Sequence, residues 1–368
     1  MTAQATAEAT RKYAGRFAGR AAAEHFREAQ GLVLSSIGIG TYLGNPDART
    51  DAAYAQAVEA AVEAGFNLMD SAINYRFQRS ERSLGEALRR LAAKGFPREE
   101  LMVCTKGGYL TPDGAMPADP NEYFFREYIQ TGVLRAGDIA AGCHAMTPRY
   151  LENQLERSLR NLGVECVDVY YLHNPETQLG EVPRKDFLAR VRAAFTCFEA
   201  AASAGKIHFY GVATWNGFRQ PREAAEYLSL PELEGLAREI AGERHKFRFV
   251  QLPFNLAMTE ALTLGSQSLG GPLRTMTEAA AELGITLIGS AALLQGQVAR
   301  NLPGFVREAF DLETDAESAL QFARSAPGIT AALVGMSQVE HVRANARLVE
   351  VMPATIEQFA KLFSRGED

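Results

Sequence analysis

The sequence predicts an α/β fold, a (β/α)8 barrel of the TIM type, and three observations carry that prediction. Short apolar runs alternate with longer helix-period segments from residue 32 onward. The short runs are almost continuously apolar, as strands covered on both faces are, rather than alternating apolar with polar. Polar side chains recur where several runs end, at Asp70, Lys106, His173, Thr214 and Gln251, and a packed barrel interior has no use for such groups while its C-terminal rim does.

The strand candidates are 33–40, 67–72, 101–106, 167–173, 208–214, 247–252, 285–290 and 330–335. Helix-period segments lie between them at 51–64, 80–93, 147–162, 187–204, 221–240, 272–283 and 314–326, and 338–349 follows the last strand. Boundary chemistry agrees: Asp51 is placed to cap the first helix and Gly65 to end it, while Pro148 and Pro272 sit where a first-turn proline is tolerated. An open doubly wound sheet is the competitor, and it asks for a GxGxxG turn after the first strand. Gly38-Ile39-Gly40 runs into Thr41-Tyr42-Leu43 instead, which breaks that pattern.

At 368 residues, with 47% apolar and 22% charged, the chain is long enough for two domains or one large barrel. Eight strand–helix units use residues 32–368 as one barrel, leaving a leader at 1–31 and two long rim insertions at 107–146 and 174–185. The leader places Arg11, Arg16, Arg20 and Arg27 among alanines, but Glu8, Glu24 and Glu28 spoil a transit peptide and no apolar core marks a secretion signal. It is expected to pack outside the main fold. The first insertion carries Tyr109, Tyr123, Phe124, Phe125 and Tyr128; it reads as a lid or substrate wall, with a surface elaboration or an oligomer contact as the alternative.

A net charge of −6 argues against a general nucleic-acid binder. The longest charge-free run, 283–299, is interrupted by Gly284, Gly289, Ser290, Gln295 and Gly296, so no membrane span is expected. Cys104, Cys143, Cys166 and Cys197 form no CxxC pair, which fits reduced thiols and a cytoplasmic location. Cys143-His144 has no further ligands at zinc-like spacing, so no metal site is expected.

Asp70, Tyr75, Lys106 and His173 are the candidate catalytic residues. A phenol is a poor proton donor at neutral pH unless its conjugate base is stabilised. An ammonium group beside it does that, a carboxylate keeps the ammonium charged and placed, and an imidazole orients a carbonyl oxygen. Proton donation to that oxygen pairs with hydride from a nicotinamide, since no side chain carries hydride.

Over about 32–349 the chain resembles the aldo-keto reductase superfamily. The matching stretches are Ile37-Gly38-Ile39-Gly40-Thr41-Tyr42, Gly65-Phe66-Asn67-Leu68-Met69-Asp70-Ser71-Ala72 with Tyr75 and Ser80-Glu81 behind, Leu84-Gly85-Glu86-Ala87-Leu88 and Cys104-Thr105-Lys106. Leu155-Glu156-Arg157-Ser158-Leu159-Arg160-Asn161-Leu162-Gly163, Val167-Asp168-Val169-Tyr170-Tyr171-Leu172-His173 and Gly205-Lys206-Ile207 to Gly211-Val212 follow in family order. The resemblance implies a (β/α)8 barrel and NAD(P)H-dependent interconversion of a small-molecule carbonyl and its alcohol, with Tyr75 as general acid/base assisted by Asp70, Lys106 and His173.

The same resemblance assigns cofactor contacts to Gly40, Thr41, Tyr42, Thr214, Gln251, Ser290, Ala291, Leu293, Gly296, Gly335, Ser337, His341 and Asn345. Departures occur there. The usual Ser-Asn that holds the carboxamide corresponds to Ala213-Thr214, a nicotinamide-stacking Tyr is replaced by Ser290 or Gly289, and Ser337 stands at a usual Arg or Lys. NADP is the expected cofactor, with a helix N-terminus near Ser337 for phosphate, and NAD is the alternative. Two other readings stay open: a redox-neutral enzyme with tightly held nicotinamide, and a non-enzymatic regulatory barrel subunit. The insertion aromatics and Trp215 imply a flat or apolar ligand wall, or a sugar platform, and Asn174-Pro175-Glu176 is placed to line it.

Overall fold

The computed structural model describes residues 4–364. An antiparallel hairpin, β1 (Phe26–Ala29) and β2 (Leu32–Ser35), comes first. Eight parallel strands then close a barrel in sequence order: β3 (Ile37–Gly40), β4 (Leu68–Asp70), β5 (Met102–Gly107), β6 (Val167–His173), β7 (Ile207–Ala213), β8 (Phe247–Pro253), β9 (Thr286–Ser290) and β10 (Ile329–Gly335), with β10 pairing β3. This is the (β/α)8 barrel that the sequence predicts.

The continuous apolar character of the strands follows from two cores. Leu68, Met102, Cys104, Val169, Tyr171, Phe209, Phe249, Ile288 and Leu333 fill the barrel interior. Their strand neighbours Met69, Val103, Tyr170, Tyr210, Val250 and Leu287 point outward against the surrounding helices. Successive residues face opposite sides of a strand, and both sides are dry here. At Gly211 a Cβ would lie 2.0 Å from the Phe249 carbonyl oxygen, so only glycine lets β7 and β8 approach this closely.

The division expected at residue 31 falls in the turn of the β1–β2 hairpin, and the preceding residues close the barrel's N-terminal end. Tyr13 of helix Ala7–Gly15 is fully buried in the outer core and donates its hydroxyl to the Val62 carbonyl at 2.6 Å. Ala5, Ala29, Leu32 and Leu34 join the interior core, and the Ala5 amide donates to Asp168 Oδ1 at 2.6 Å.

Four local expectations are corrected. The first strand, 33–40, is two strands broken at Ser36, where the chain leaves the antiparallel hairpin for the parallel barrel; the Ser36 amide donates to the His25 carbonyl at 2.6 Å. Asp47, not Asp51, caps helix Ala48–Ala64 by accepting from the Thr50 amide, while Gly65 ends it at φ 111° as expected. The helix expected from 221 begins only at Leu230 (Leu230–Ala241), because Pro231 lacks an amide donor and suits the first turn, and the Ser229 side chain caps it. The helix expected from 272 is Met276–Glu282, opened by a reciprocal Thr275–Glu278 capping box; Pro272 lies ahead of it. Among the described residues no helix is long and apolar enough to cross a membrane.

Candidate active site

The barrel's C-terminal rim gathers the predicted catalytic residues. Asp70 ends β4, Lys106 lies one residue from the end of β5, His173 ends β6, and Tyr75 sits in the loop after β4. Lys106 Nζ donates to Asp70 Oδ2 at 2.5 Å and to the Ser71 carbonyl at 2.8 Å, and Gln251 Nε2 donates to Asp70 Oδ1 at 2.8 Å. Asp70 and Lys106 are 4% and 1% exposed, so the pair is desolvated and the ammonium is charge-compensated. The ammonium lies 4.9 Å from the Tyr75 ring centroid, and the Tyr75 ring packs edge-on against His173 at 5.9 Å and Tyr42 at 4.9 Å.

Electrostatics assign protonation states. Burial raises the Tyr75 pKa; the Lys106 charge opposes the rise without cancelling it. Burial alone pulls Lys106 down, but the negative charge of Asp70 and the Tyr75 phenol outweigh it and the net shift is upward. Burial, the Lys106 charge and His144 together hold His173 well below its ordinary value, so the imidazole is neutral. At neutral pH the site therefore holds a protonated phenol, an ammonium–carboxylate pair and a neutral imidazole whose Nδ1 is buried with no protein partner.

The insertion at 107–146 reaches the same site. The Tyr109 ring stands perpendicular to His173 at 5.1 Å, and Asn174 Nδ2 donates to the Tyr109 hydroxyl at 3.0 Å. His144 Nε2 donates to the His173 carbonyl at 2.7 Å while its Nδ1 accepts from Gln178 Nε2 at 2.8 Å, and Arg190 caps Gln178 Oε1. Gly108, at φ 146°, permits this approach: a Cβ there would lie 2.7 Å from His144 Nε2. The insertion's other aromatics divide. Tyr128, packed by Phe124, builds a satellite core with Tyr150, and Phe125 is exposed.

The candidate cofactor residues occupy adjoining parts of the rim. Gly40 and Gly335 are register partners at the ends of β3 and β10, and Ser290 ends neighbouring β9. Thr41 is buried and spends both its amide and its hydroxyl on the Asp70 carbonyl, each at 3.1 Å, whereas Tyr42 is exposed. The Thr214 hydroxyl is buried without a protein partner beside Gln251, which fits a carboxamide-binding position. Ala291, Leu294 and Gln295 all have positive φ, as does Gly296, so the loop after β9 that includes Leu293 is tightly coiled. Ser337 is half-buried ahead of helix Val339–Ala346, whose N-cap Gln338 makes no side-chain cap bond. His341 is exposed in its early turns and Asn345 is buried near its end. Trp215 follows Thr214 and is 42% exposed.

Several residues that the sequence singles out build the site in roles that the sequence does not give them. Glu176 Oε1 accepts from the amides of Trp215, Asn216 and Gly217 at 2.8, 3.0 and 3.4 Å and so fixes the loop after β7. His144, which the sequence offers only as a metal ligand beside Cys143, braces the His173 carbonyl and Gln178 instead, and among the described residues no cluster could hold a metal. Asp51, read as a cap, instead pairs with Arg76 and Arg79.

The chain belongs to the aldo/keto reductase family: the family model matches residues 36–301. It is 28% identical over 191 residues to a 6-dehydroglucose reductase of Novosphingobium aromaticivorans, covering 50% of this chain and 49% of that protein. It is 27% identical over 210 residues to an NADH-specific methylglyoxal reductase of Escherichia coli, covering 55% and 54%. The chain thus spans about half the length of these curated relatives. An aldo/keto reductase from Klebsiella pneumoniae, solved with NADP and acetate, shares the fold at a TM-score of 0.62 and 18% identity, over 93% of this chain and 95% of that one. A holo aldo-keto reductase from Bacillus halodurans gives 0.63 at 18%, over 92% and 95%.

Proposed function

We propose that the protein reduces the carbonyl of a small oxygen-rich aldehyde, ketone or sugar to the alcohol, or runs the reverse oxidation, with NADP as its cofactor and NAD as the alternative. One observation carries the reading: a buried ammonium bonded to Asp70 at 2.5 Å lies 4.9 Å from the Tyr75 ring, beside a neutral His173. In this reading the substrate's carbonyl oxygen lies between the Tyr75 hydroxyl and the His173 imidazole. Tyr75 gives its proton to that oxygen, and the Lys106 ammonium stabilises the phenolate left behind. Asp70 holds Lys106 charged and in place, and Gln251 occupies the second carboxylate oxygen.

A bound nicotinamide would supply the hydride. Thr214, with its unpartnered buried hydroxyl, is the residue we assign to the carboxamide; Gly335, Ser337, His341 and Asn345 are assigned to the adenosine phosphate end. Tyr109 and Asn174 form the substrate wall next to His173, which gives the insertions at 107–146 and 174–185 their role at the rim. The names of the reductase relatives, both acting on oxygen-rich carbonyls, support that substrate class. A cytoplasmic setting is supported by four cysteines that all remain free.

The test is turnover by the full chain with NADPH and with NADH over methylglyoxal and a set of aldoses and keto sugars. Tyr75→Phe should lower kcat by at least ~100-fold. An unchanged kcat in that variant would overturn the assignment.

A further inference from the structure

Directly after Tyr75 the backbone enters the left-handed region and stays there for three residues, none of them glycine: Arg76 at φ 47°, Phe77 at 57° and Gln78 at 72°. Cβ crowding disfavours this region for every residue but glycine. A run of three persists only where the surroundings over-determine it, and such strain clusters at working sites.

Side chains supply the restraint. Arg76, 7% exposed, donates Nη1 to Asp51 Oδ1 at 2.6 Å, Nε to Ser80 Oγ at 3.1 Å and Nη2 to Ser83 Oγ at 3.1 Å, and its guanidinium lies 4.8 Å over the Tyr54 ring. Gln78, 1% exposed, donates Nε2 to the Pro112 carbonyl and accepts from Asn161 Nδ2, both at 3.2 Å. The Gly114 amide donates to the Phe77 carbonyl at 2.9 Å. The turn is therefore tied on one side to helix Ala48–Ala64 and on the other to the insertion at 107–146. Glycine would adopt the conformation of Arg76 without strain, and burying a guanidinium is costly unless it is paired. The arginine is thus explained by what its side chain grips.

We propose that Arg76 is a positioning residue: paired with Asp51, it fixes the left-handed turn that sets the Tyr75 phenol against Lys106 and His173. The Arg76 guanidinium is spent on Asp51, Ser80 and Ser83, so its role runs through the turn and Tyr75. The proposal rests on the reading of Tyr75 as proton donor, where a displacement of about 1 Å can cost ~100-fold in rate.

Three variants of the full chain test it. Arg76→Gly removes the steric cost and the grip together. Asp51→Asn leaves the turn's own sequence intact and weakens the grip, and Asp51→Glu offers the pairing back. Steady-state kinetics, NADPH affinity by fluorescence titration and a crystal structure of Arg76→Gly are the readouts. Expected are a ~10- to 100-fold fall in kcat for Arg76→Gly and Asp51→Asn, substantial recovery in Asp51→Glu, and NADPH affinity held within about twofold. The Tyr75 ring in the Arg76→Gly structure should be displaced or spread over rotamers. Wild-type kcat with Tyr75 in place overturns the proposal, as does a parallel loss of NADPH affinity, which would mark general loosening of the rim. If the wild-type chain reduces no carbonyl, the proton-donor reading fails, and the position of Tyr75 in the variant crystal still decides whether Arg76 holds it.

Discussion

The His144 imidazole donates its Nε2 hydrogen to the backbone carbonyl of His173 at 2.7 Å, so the end of one rim insertion holds the strand end that carries the neutral imidazole of the site. The ring's other nitrogen accepts from Gln178 in the second insertion. The two insertions therefore meet under His173, so the extra length of the chain braces the strand end that carries it.

His144→Phe keeps the ring volume and removes both ring bonds, leaving the buried His173 carbonyl unpaired and Gln178 Nε2 with only the residue-144 backbone carbonyl, which it already meets at 3.2 Å. The expected cost is about 1–3 kcal/mol of stability, read as a lower melting temperature. Because the His173 strand end loses its brace, kcat/KM should also fall by about tenfold. A lower melting temperature with unchanged kinetics would show that the contact only stabilises the fold.

The protonation states set the pH profile. In the proposed mechanism reduction needs the Tyr75 phenol protonated, and its pKa lies above the ordinary value of 10.0 because burial raises it. The reductive kcat/KM should be flat through neutrality as far as Tyr75 governs it, falling only in the alkaline range above that value, while oxidation rises with pH. Lys106→Met removes the charge that opposes the rise, so the alkaline limb should move further up while the plateau drops by about 100-fold or more. Initial-rate profiles in both directions check this, and an alkaline limb that moves down would contradict the assignment.

Much of this was legible in the sequence, for physical reasons. A strand packed on both faces must be apolar at consecutive positions, so β5, β6 and β8 stand out, and a charge at the end of such a strand marks the rim, which exposed Asp70, Lys106 and His173. What was hidden depends on geometry that residue type does not encode. Asp47 and Asp51 lie one helical turn apart and either is a fair cap; only the approach of Arg76 and Arg79 gives Asp51 its other use. Positive φ at Arg76 and Gln78 is invisible because nothing there is glycine. The break at Ser36 carries no proline or glycine turn signal, only Ser35-Ser36 between Leu34 and Ile37.

Glu176 anchors the loop that carries Thr214 and Trp215. Its carboxyl is buried and burial raises its pKa, against the lowering effect of the backbone amides that bond it. Glu176→Ala would free three amides within a few residues of the assigned carboxamide contact. NADPH affinity should weaken by about tenfold, more than kcat, because the proposed role of the loop is to hold cofactor rather than to donate protons. Fluorescence titration measures it; unaltered affinity would place the cofactor's contacts elsewhere.

Acid sensitivity should come from buried neutral histidines at both ends of the barrel. His25 donates Nε2 to the Gly65 carbonyl at 3.0 Å and accepts at Nδ1 from Ser36 Oγ at 3.2 Å, so the neutral ring uses both nitrogens and has no place for a second proton. Burial, with Arg324 and Arg27 nearby, lowers its pKa from 6.5 to about 4, and burial lowers His144 to about 4 as well. A base with a depressed folded-state pKa stabilises the fold fully above its unfolded value and loses that contribution as pH falls toward the folded one. The window therefore runs from 6.5 down to about 4, and each histidine is worth about 3 kcal/mol across it. Denaturant melts taken through this range should show stability falling steeply with acid, and His25→Asn should lower stability near neutrality while flattening the fall. If the variant and the wild type lose stability in parallel across the window, the titration of His25 is not its source.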